Sequence, residues 1–387
     1  MTRVAFVIDR HGWAFDSDAH AIAASIGPDY TIDVLCSADY TPRAALFYEL
    51  FFVRRYDIIH FWWSVDAQEA LSETTLRYLQ ARGVSLNAWI ERFSRQIVSA
   101  SIYTNRYLTP DNQIRFAAVF SAVNAYAVGN QILYAQYEAI PWAPLPAILG
   151  EGVDLALFAG PEPTPRQPSE PLVVGWAGNS QFNPGEDHKG IHTIIRPAVA
   201  QLQAEGVPIV LKTADQQDRL IPHEEMPAFY RQLHVYICAS AYEGAPLPVL
   251  ESMASGLAVV STRVGLVPEA FGPRQQDFIL PQRSAQALAD ALRTLATDDA
   301  TRLALAQENL QSVQAWSWPE KSRLWRDFLD ALIKDNSESL RRRKAYTLMA
   351  HYNRLIHWDG RAALRYVKTA WDIFAVKARR RSQKFFK

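Results

Sequence analysis

Short apolar runs alternate with stretches of helical spacing twice along this chain of 387 residues. Runs of this length between turn residues predict strands, and the segments between them show the period of helices. Alternation of this kind is typical of parallel strands joined by crossover helices, and the length fits two domains. The predicted strands lie at 3–9, 30–36, 57–63, 171–178, 208–214, 235–240 and 257–262, and the main predicted helices at 18–26, 43–55, 190–205, 223–233, 248–255, 284–297 and 317–334.

A proline-rich segment separates the two series. The stretch "GPEPTPRQPSEP" excludes a helix or a central strand, because proline lacks the backbone N–H, and it predicts an extended connector. Two α/β domains joined in this way would face each other across a cleft at the carboxyl ends of their strands. The predicted organisation is a first domain over 1–160, a linker over 161–171, a second domain over 172–334 and a basic tail over 335–387.

Composition and targeting signals narrow the class of protein. An apolar content of 49% with 21% charged residues describes a folded globular chain. The two cysteines, Cys36 and Cys238, lie in predicted strands, which argues against a disulfide framework and for a reducing compartment. No signal-peptide pattern and no run of about 18 apolar residues occurs. We therefore expect a cytoplasmic protein that does not span a membrane.

The stretch "YEGAPLPVLESMASG" (242–256) places one glutamate in a loop and another in the helix that follows. Pro248 suits the first turn of that helix and Gly256 suits its end. Unpaired amides at the helix start would favour a diphosphate, with Glu251 holding a ribose and Glu243 a second sugar. The spacing of the two glutamates leaves two alternatives open. In the first, Glu251 has no ligand and only complements the helix dipole. In the second, Glu243 and Glu251 form a glycosidase-type pair of carboxylates.

The segment "ASAYEGAPLPVLESMASGLAVVSTRVGLVPEAF" (239–271) resembles the signature of retaining glycosyltransferases of family 4, the glycosyl transferases group 1. Two further segments, "GEGVDLALF" (150–158) and "VVGWAGNS…HKGIHTII" (173–195), are similar to other parts of that family. The resemblance covers 147–330 well and the N-terminal half loosely. It implies the GT-B architecture, an α/β fold in which two Rossmann-like domains with parallel sheets face each other across a cleft and the second binds the donor.

The resemblance also assigns roles to residues of the second domain. It implies that Glu251 binds the donor ribose, that Glu243 contacts the donor sugar and that Lys189 neutralises the diphosphate. Fixed positive charge at a leaving diphosphate lowers the barrier to transfer. Without this context, Lys189 would be read as a surface lysine. The implied phosphate contacts beside Lys189 are amides near the stretch Ala245, Pro246 and Leu247 and the close backbone approach at Gly178.

One position of the predicted donor site departs from the family pattern. Asn179 stands where the family usually has an arginine, and we count it among the donor-binding candidates. His188 or Arg263 would be alternative sources of a positive donor.

The N-terminal half offers two weaker candidates. Gly12 stands in the loop that contacts the donor diphosphate in the family, and His60 closes the strand "DIIHFWWS" at the position of a family histidine near the reaction. From the residues alone, His60 is equally a core histidine. The next strand region, 95–108, has no histidine, and Asn105 or Tyr103 would take its place. Retaining transfer in this family needs no protein nucleophile.

No metal and no other cofactor is expected for the reaction. No Asp-x-Asp motif stands at a strand end, and GT-B enzymes generally need no bound divalent ion. A nucleotide-sugar epimerase would need several carboxylates and a histidine around the sugar, and the sequence shows no such set.

The C-terminal tail is strongly basic. Residues 334–387 hold 15 Lys and Arg against 4 Asp and Glu, so the rest of the chain is acidic. Apolar positions at helical spacing over 338–378, flanked by basic runs, predict that 338–387 lies on an anionic membrane surface. The alternatives are packing on the acidic body and a solvated terminus. Nucleic-acid binding is not expected, because no such motif occurs.

The sequence thus predicts a retaining, metal-independent glycosyltransferase of the hexosyltransferase type. Its donor would be a nucleotide diphosphate sugar and its acceptor a glycan or a lipid-linked molecule, in cell-surface polysaccharide or glycolipid assembly. The alternative is a catalytically silent GT-B protein that serves as partner or scaffold for another transferase.

Overall fold

The computed structural model describes residues 1–167, 169–181 and 185–356. It divides into a first unit, Met1–Leu149 with the described residues from Ser322 onward, and a second unit, Gly150–Lys321. The predicted linker 161–171 therefore belongs to the second unit. Arg302 explains this difference, because its guanidinium donates to the Thr164 carbonyl at 2.8 Å and holds the proline-rich segment against that unit.

The first unit contains a sheet whose strands, within the described residues, number six and pair in parallel. The order across the sheet is β2-β1-β3-β4-β5-β6, as expected for strands joined by crossover helices. The strands are β1 (Thr2–Ile8), β2 (Tyr30–Cys36), β3 (Ile58–Phe61), β4 (Ile97–Ile102), β5 (Ala125–Val128) and β6 (Ala147–Ile148).

Helices connect these strands and cover their apolar side chains, such as Ile59 and Val98, which are fully buried. The connecting helices are α1 (Ala14–Ser25), α2 (Ala44–Tyr48), α3 (Ser64–Ala70), α4 (Glu73–Gln80), α5 (Leu86–Arg95), α6 (Pro110–Ala122) and α7 (Gln131–Glu138).

The second unit contains a parallel sheet with four strands in the described residues, in the order β10-β9-β7-β8. A π-helical turn, Ile191–Ile195, leads into α8, and a 3₁₀ turn, His223–Glu225, leads into α9. The strands are β7 (Leu172–Gly178), β8 (Ile209–Asp215), β9 (Val235–Cys238) and β10 (Ala258–Ser261). The helices are α8 (Arg196–Ala204), α9 (Met226–Tyr230), α10 (Leu247–Ala254), α11 (Val267–Ala270), α12 (Ala285–Thr297) and α13 (Asp299–Ser312).

Two C-terminal helices complete the described chain, α14 (Trp318–Lys334) and α15 (Glu338–Ile356). The boundary between the units falls within α14, not at the predicted position 334. The reason is that Trp325 and Phe328 are buried in the first unit, where Trp325 stacks on Trp62. Leu324, next to Trp325 in the same helix, is exposed.

Helix α15 packs on α5 and α6 of the first unit. Tyr352 is buried and accepts a hydrogen bond from Trp89 Nε1 at 2.8 Å. Lys344, from the basic run 341–344, is also buried and donates to the Asn124 side chain. For the described part of the tail, the packing alternative is therefore the one observed. The remainder of the predicted membrane-binding segment, 357–387, lies outside the described residues.

Both sheets have a point where the strand order reverses. Strand β1 lies between β2 and β3, and β7 lies between β8 and β9. Ligands of parallel α/β sheets bind at the carboxyl ends of the strands beside such a point. In the second unit this edge comprises the loops after β7 and β9, which carry the predicted donor residues.

Two further predictions can be compared with the structure. Cys36 and Cys238 are both buried and free, as predicted. Among the residues described, no helix combines the length and the apolar character needed to cross a bilayer.

Candidate functional site

The centre of the candidate site is an ion pair between the loops that follow β7 and β9. Lys189 Nζ donates to Glu243 Oε1 at 2.6 Å, and the two side chains are only 20% and 14% exposed. A charged pair this short and this sheltered has lost much of its water, so its charges act strongly on any ligand beside it. The structure thus brings together Lys189, predicted to neutralise the diphosphate, and Glu243, predicted to contact the donor sugar.

Close backbone contacts hold these two loops in place. Gly190 has φ +76°, and a Cβ at this position would lie 2.5 Å from the Ala239 carbonyl oxygen. Only glycine therefore permits the Lys189 loop to approach the end of β9 this closely. Arg283 ties the same two loops together by donating to the carbonyls of Asp187 and Ala239 at 2.6 and 2.9 Å.

Glu251 lies in α10 with its carboxylate buried, and each oxygen has a partner. Tyr230, at the end of α9, donates its hydroxyl to Glu251 Oε2 at 2.6 Å. His223 Nε2 lies 3.2 Å from Oε1, and the hydrogen bond to Glu251 raises the pKa of His223 above its ordinary value. His223 is about half exposed while Tyr230 is fully buried. One oxygen of Glu251 is therefore fixed from inside, and the other faces an accessible partner.

Glu151 is a third carboxyl group near the ion pair. It is 4% exposed, and its pKa is raised to about 8 by burial and, second, by the negative charge of Glu243. Glu151 is therefore protonated at neutral pH. The backbone around it is closely packed, since a Cβ at Gly152 would lie 2.7 Å from the Trp318 ring.

The start of α10 differs from the predicted phosphate cradle. The Leu247 amide already donates to the Ala245 carbonyl at 2.9 Å, and the Val249 amide donates to Pro246. Pro246 and Pro248 carry no N–H. The expectation of unpaired amides over 247–250 is therefore wrong at Leu247 and Val249, because the turn before the helix uses them. The predicted diphosphate contact that remains beside this helix is Lys189, which is paired with Glu243.

The remaining predicted donor residues lie at the end of β7. Gly178 closes the strand with φ +157°, and a Cβ there would lie 3.1 Å from the Trp176 ring. Asn179 Oδ1 accepts hydrogen bonds from the Gln181 amide and the Gln217 side chain, so its oxygen shapes the turn.

The two residues considered as substitutes for the family arginine differ in their surroundings. Arg263 is exposed, whereas His188 is buried, with its ring 3.9 Å from that of Tyr242, centroid to centroid.

The two candidate residues of the first unit, His60 and Gly12, are held by contacts within their own unit and do not form a sheltered ion pair like that of Lys189 and Glu243. His60 lies within β3 and is fully buried, with its ring nitrogens 2.9 and 3.0 Å from the hydroxyls of Ser99 and Ser101. Burial lowers the pKa of His60 to about 3, so the ring is neutral. His60 was predicted to be either a residue near the reaction or a core histidine, and its burial and its two serine partners support the core histidine. The Gly12 amide donates to Asp16 at 2.8 Å and thereby holds the turn before α1.

Four residues around the second-unit site were missed by the sequence analysis, namely Glu151, His223, Tyr230 and Arg283. Glu151 stands in the segment 150–158 that carries part of the resemblance, so its charge was an available signal. The other three are recognisable only through contacts between distant elements.

Comparison with known structures defines the class of fold. Sucrose-phosphate synthase from Thermosynechococcus elongatus superposes with a TM-score of 0.61 at 15% identity, covering 86% of this chain and 100% of that one. Anabaena HepE in complex with UDP and glucose gives a TM-score of 0.59 at 15% identity with the same coverage. The fold class of this chain is thus α/β of the GT-B type, as predicted.

Sequence comparison then identifies the family of one segment. Residues 219–311 match the model of the family described as glycosyl transferases group 1. The matched residues lie in the second unit and include both Glu243 and Glu251. The match confirms the predicted resemblance of the segment 239–271 to the glycosyl transferases group 1.

A curated relative is the D-inositol 3-phosphate glycosyltransferase of Corynebacterium glutamicum, 31% identical over 116 residues. The aligned part covers 30% of this chain and spans only 28% of the length of that relative.

Proposed function

We propose that this chain is a retaining glycosyltransferase that moves a sugar from a nucleotide diphosphate sugar to a hydroxyl group of a glycan or a lipid-linked acceptor. The observation that carries the proposal is the sheltered Lys189–Glu243 pair at the switch point of the second sheet, 2.6 Å between Nζ and Oε1. It provides one positive group for a diphosphate and one carboxylate for sugar hydroxyls within a single site.

The reaction replaces one bond of the donor sugar. The bond between its anomeric carbon and the phosphate oxygen breaks, and the acceptor oxygen bonds to the same carbon from the same face. The acceptor proton passes to an oxygen of the departing diphosphate. Lys189 stabilises the charge that develops there, because an ammonium group close to the leaving oxygens lowers the barrier. Its three N–H donors let it keep Glu243 while it donates to phosphate.

Glu251 and its two partners suit the nucleoside part of the donor. A carboxylate accepts hydrogen bonds from the two hydroxyls of a ribose. Tyr230 holds Oε2 in place from the buried side, and a ribose hydroxyl would replace the accessible His223 at Oε1. The carboxylate thus keeps its orientation when the donor binds.

Protonated Glu151 limits the negative charge of the site. A diphosphate beside two ionised glutamates would be repelled, whereas Glu151 is neutral near pH 7 because its pKa is raised to about 8 by burial and by Glu243. The ion pair then has no net charge, and the diphosphate meets the ammonium of Lys189 without a second carboxylate opposing it.

The acceptor, the cytoplasmic location, the absence of a metal from the reaction and the attachment to an anionic membrane through 338–387 remain predictions. A relative that is named as a D-inositol 3-phosphate glycosyltransferase is a reason to include inositol phosphate among the acceptors tested. Sedimentation of the full chain with vesicles that contain anionic lipid would test the membrane contact.

Calorimetric titration of UDP, GDP and ADP tests the donor site. UDP comes first, because HepE is recorded with UDP and glucose. One nucleotide should bind the wild type, and Glu251→Gln should weaken its binding by roughly 1.5 to 3 kcal/mol, the value of hydrogen bonds to a charged acceptor. The matched control is Glu170→Gln, at a partly exposed glutamate beside the opposite edge of the same sheet.

Three outcomes separate the alternatives. Weaker binding by Glu251→Gln with unchanged binding by Glu170→Gln supports the transferase. Equal losses in both variants contradict the assignment of Glu251. If none of the three nucleotides binds the wild type, the silent partner or scaffold becomes the better description of this chain.

A further inference from the structure

The loops after β1 and β2 of the first unit bring three metal-binding side chains together. His11 follows β1, Cys36 ends β2 and Asp39 lies in the turn after it. The two strands are neighbours in the sheet, with Ile8 paired to Cys36. One imidazole nitrogen, the cysteine sulfur and one carboxylate oxygen all lie within 4.8 Å of one another.

These distances fit a tetrahedral ion with little rearrangement. Zinc binds sulfur at about 2.3 Å and nitrogen or oxygen at about 2.0 to 2.2 Å, so its ligand atoms are roughly 3.3 to 3.8 Å apart. His11 Nε2 and Asp39 Oδ2 are 3.0 Å apart. Because His11 and Asp39 are exposed, their side chains can adjust by the ångström that remains.

A carboxylate outside the ligand set lies beside one of the three ligands. Asp16 Oδ2 lies 3.8 Å from His11 Nδ1 and is itself held by the Gly12 amide at 2.8 Å. A carboxylate beside one ring nitrogen of histidine leaves the other nitrogen for a metal.

We propose that His11, Cys36 and Asp39 bind a zinc-like divalent cation. A sulfur, a nitrogen and an oxygen donor together suit Zn²⁺ better than Mg²⁺ or Ca²⁺, which prefer oxygen alone. Cys36 is buried while the other two ligands are exposed, so the ion reaches the site from solvent and keeps one open position for water. These ligands belong to the first unit, and the proposed sugar transfer does not require the ion.

Cobalt reports directly on such a site. We would titrate Co²⁺ into the untagged, reduced full chain and follow the charge-transfer band of a thiolate–cobalt bond. We expect one equivalent to bind, with displacement by Zn²⁺. Cys36→Ser should abolish the band, while His11→Gln and Asp39→Asn should weaken binding by at least about tenfold. Asp16→Asn, which removes the outer carboxylate, should weaken it by about tenfold.

Control variants show whether a loss of cobalt binding comes from misfolding or from a different binding site. Cys238→Ala and His192→Gln change the second cysteine and an exposed histidine, both in the second unit, and both should leave the titration unchanged. Since Asp39 is exposed, Asp39→Asn still tests the site if Cys36→Ser does not fold. The proposal is overturned if the wild type gives no thiolate–cobalt band, or if Asp39→Asn and His11→Gln bind Co²⁺ as tightly as the wild type.

Discussion

The carboxyl edges of the two sheets are built from the same kind of strand but differ in what lies beyond the strand ends. In the second unit, Lys189 and Glu243 stand in loops several residues past β7 and β9, and they meet in a sheltered pair. In the first unit, His60 is the third residue of β3 and bonds to two serines of the adjacent strand. A polar residue in a strand of a buried sheet becomes part of its core, whereas one carried past the end can meet a ligand.

The same comparison applies to charge. The second-unit edge holds an ammonium group and an ionised carboxylate together with the neutral Glu151. Aromatic rings surround His60 instead, with Phe6, Trp62 and Trp325 at centroid distances of 4.9 to 5.8 Å. Burial among such rings favours the neutral imidazole, and fixed charges beside a diphosphate favour transfer. We therefore expect nucleotide binding and sugar transfer to depend on the charged residues at the carboxyl edge of the second sheet. We expect His60 to contribute to the stability of the fold instead.

The largest expected effect is the loss of the positive group of the second unit. Lys189→Met should lower the rate of sugar transfer by about 100- to 1000-fold, the range found when one charge-stabilising donor of an active site is removed. Steady-state turnover of the nucleotide sugar whose nucleotide binds would measure it. Lys212→Met is the matched control, because that lysine lies in β8 and donates to Gln232 at 2.8 Å. Equal rates for Lys189→Met and the wild type would remove Lys189 from the mechanism.

The second effect concerns the pH dependence of stability. In the folded chain, burial and the charge of Glu243 raise the pKa of Glu151 from the ordinary 4.5 to about 8, so the folded state keeps a proton that the unfolded state loses. The wild type should therefore lose stability as the pH rises from about 4.5 to 8. Glu151→Gln has no such proton, and its stability should fall less over this window.

Urea denaturation at pH 5 and pH 8 measures the difference. The loss between the two pH values should be smaller in Glu151→Gln by a few kcal/mol at most, since one pKa unit corresponds to about 1.4 kcal/mol. The exposed Glu162 provides the control variant Glu162→Gln, which should follow the wild type. If Glu151→Gln and the wild type lose the same stability, Glu151 is not protonated in the folded chain.

The contrast between the units also explains what the sequence could predict. Apolar periodicity located seven strands, for instance 30–36 against the observed Tyr30–Cys36, because strand and helix periods are local. The stretch 242–256 located the loop that carries Glu243 and the helix that carries Glu251 for the same reason, since the loop and the helix are contiguous. The short strands β5 and β6 were not predicted. The domain boundary was less well predicted, because Trp325 and Tyr352 are buried by residues hundreds of positions earlier in the chain.

Partners of the site residues were beyond local patterns. Tyr230 and His223 stand 21 and 28 positions before Glu251, and only the packing of α9 against α10 brings their polar atoms to its carboxylate. Likewise, the helical pattern of 338–356 indicated an apolar face but not the surface that covers it. Either a membrane or the first unit could cover an apolar face with that pattern. The burial of Lys344 became evident only from its contacts in the structure.

The smallest effect tests the first unit. His60→Gln should lower the free energy of unfolding by roughly 1 to 2 kcal/mol, because the amide cannot satisfy both Ser99 and Ser101 in the same geometry. Nucleotide affinity should stay within about twofold of the wild type, since Ser99, Ser101 and the aromatic rings described around His60 belong to the first unit. Urea denaturation and calorimetry on the same preparations would give both quantities, with the exposed His20→Gln as the control variant.

The pH dependence of this variant separates a core histidine from a catalytic one. Because burial lowers the pKa of His60 to about 3, the folded chain cannot take up the proton that the unfolded chain binds below about 6.5. Wild-type stability should therefore fall as the pH drops from 6.5 towards 3, and His60→Gln should lose less over that range. Unchanged stability together with a large loss of transfer rate would mean that His60 acts on a substrate, and the contrast between the two sheet edges would no longer hold.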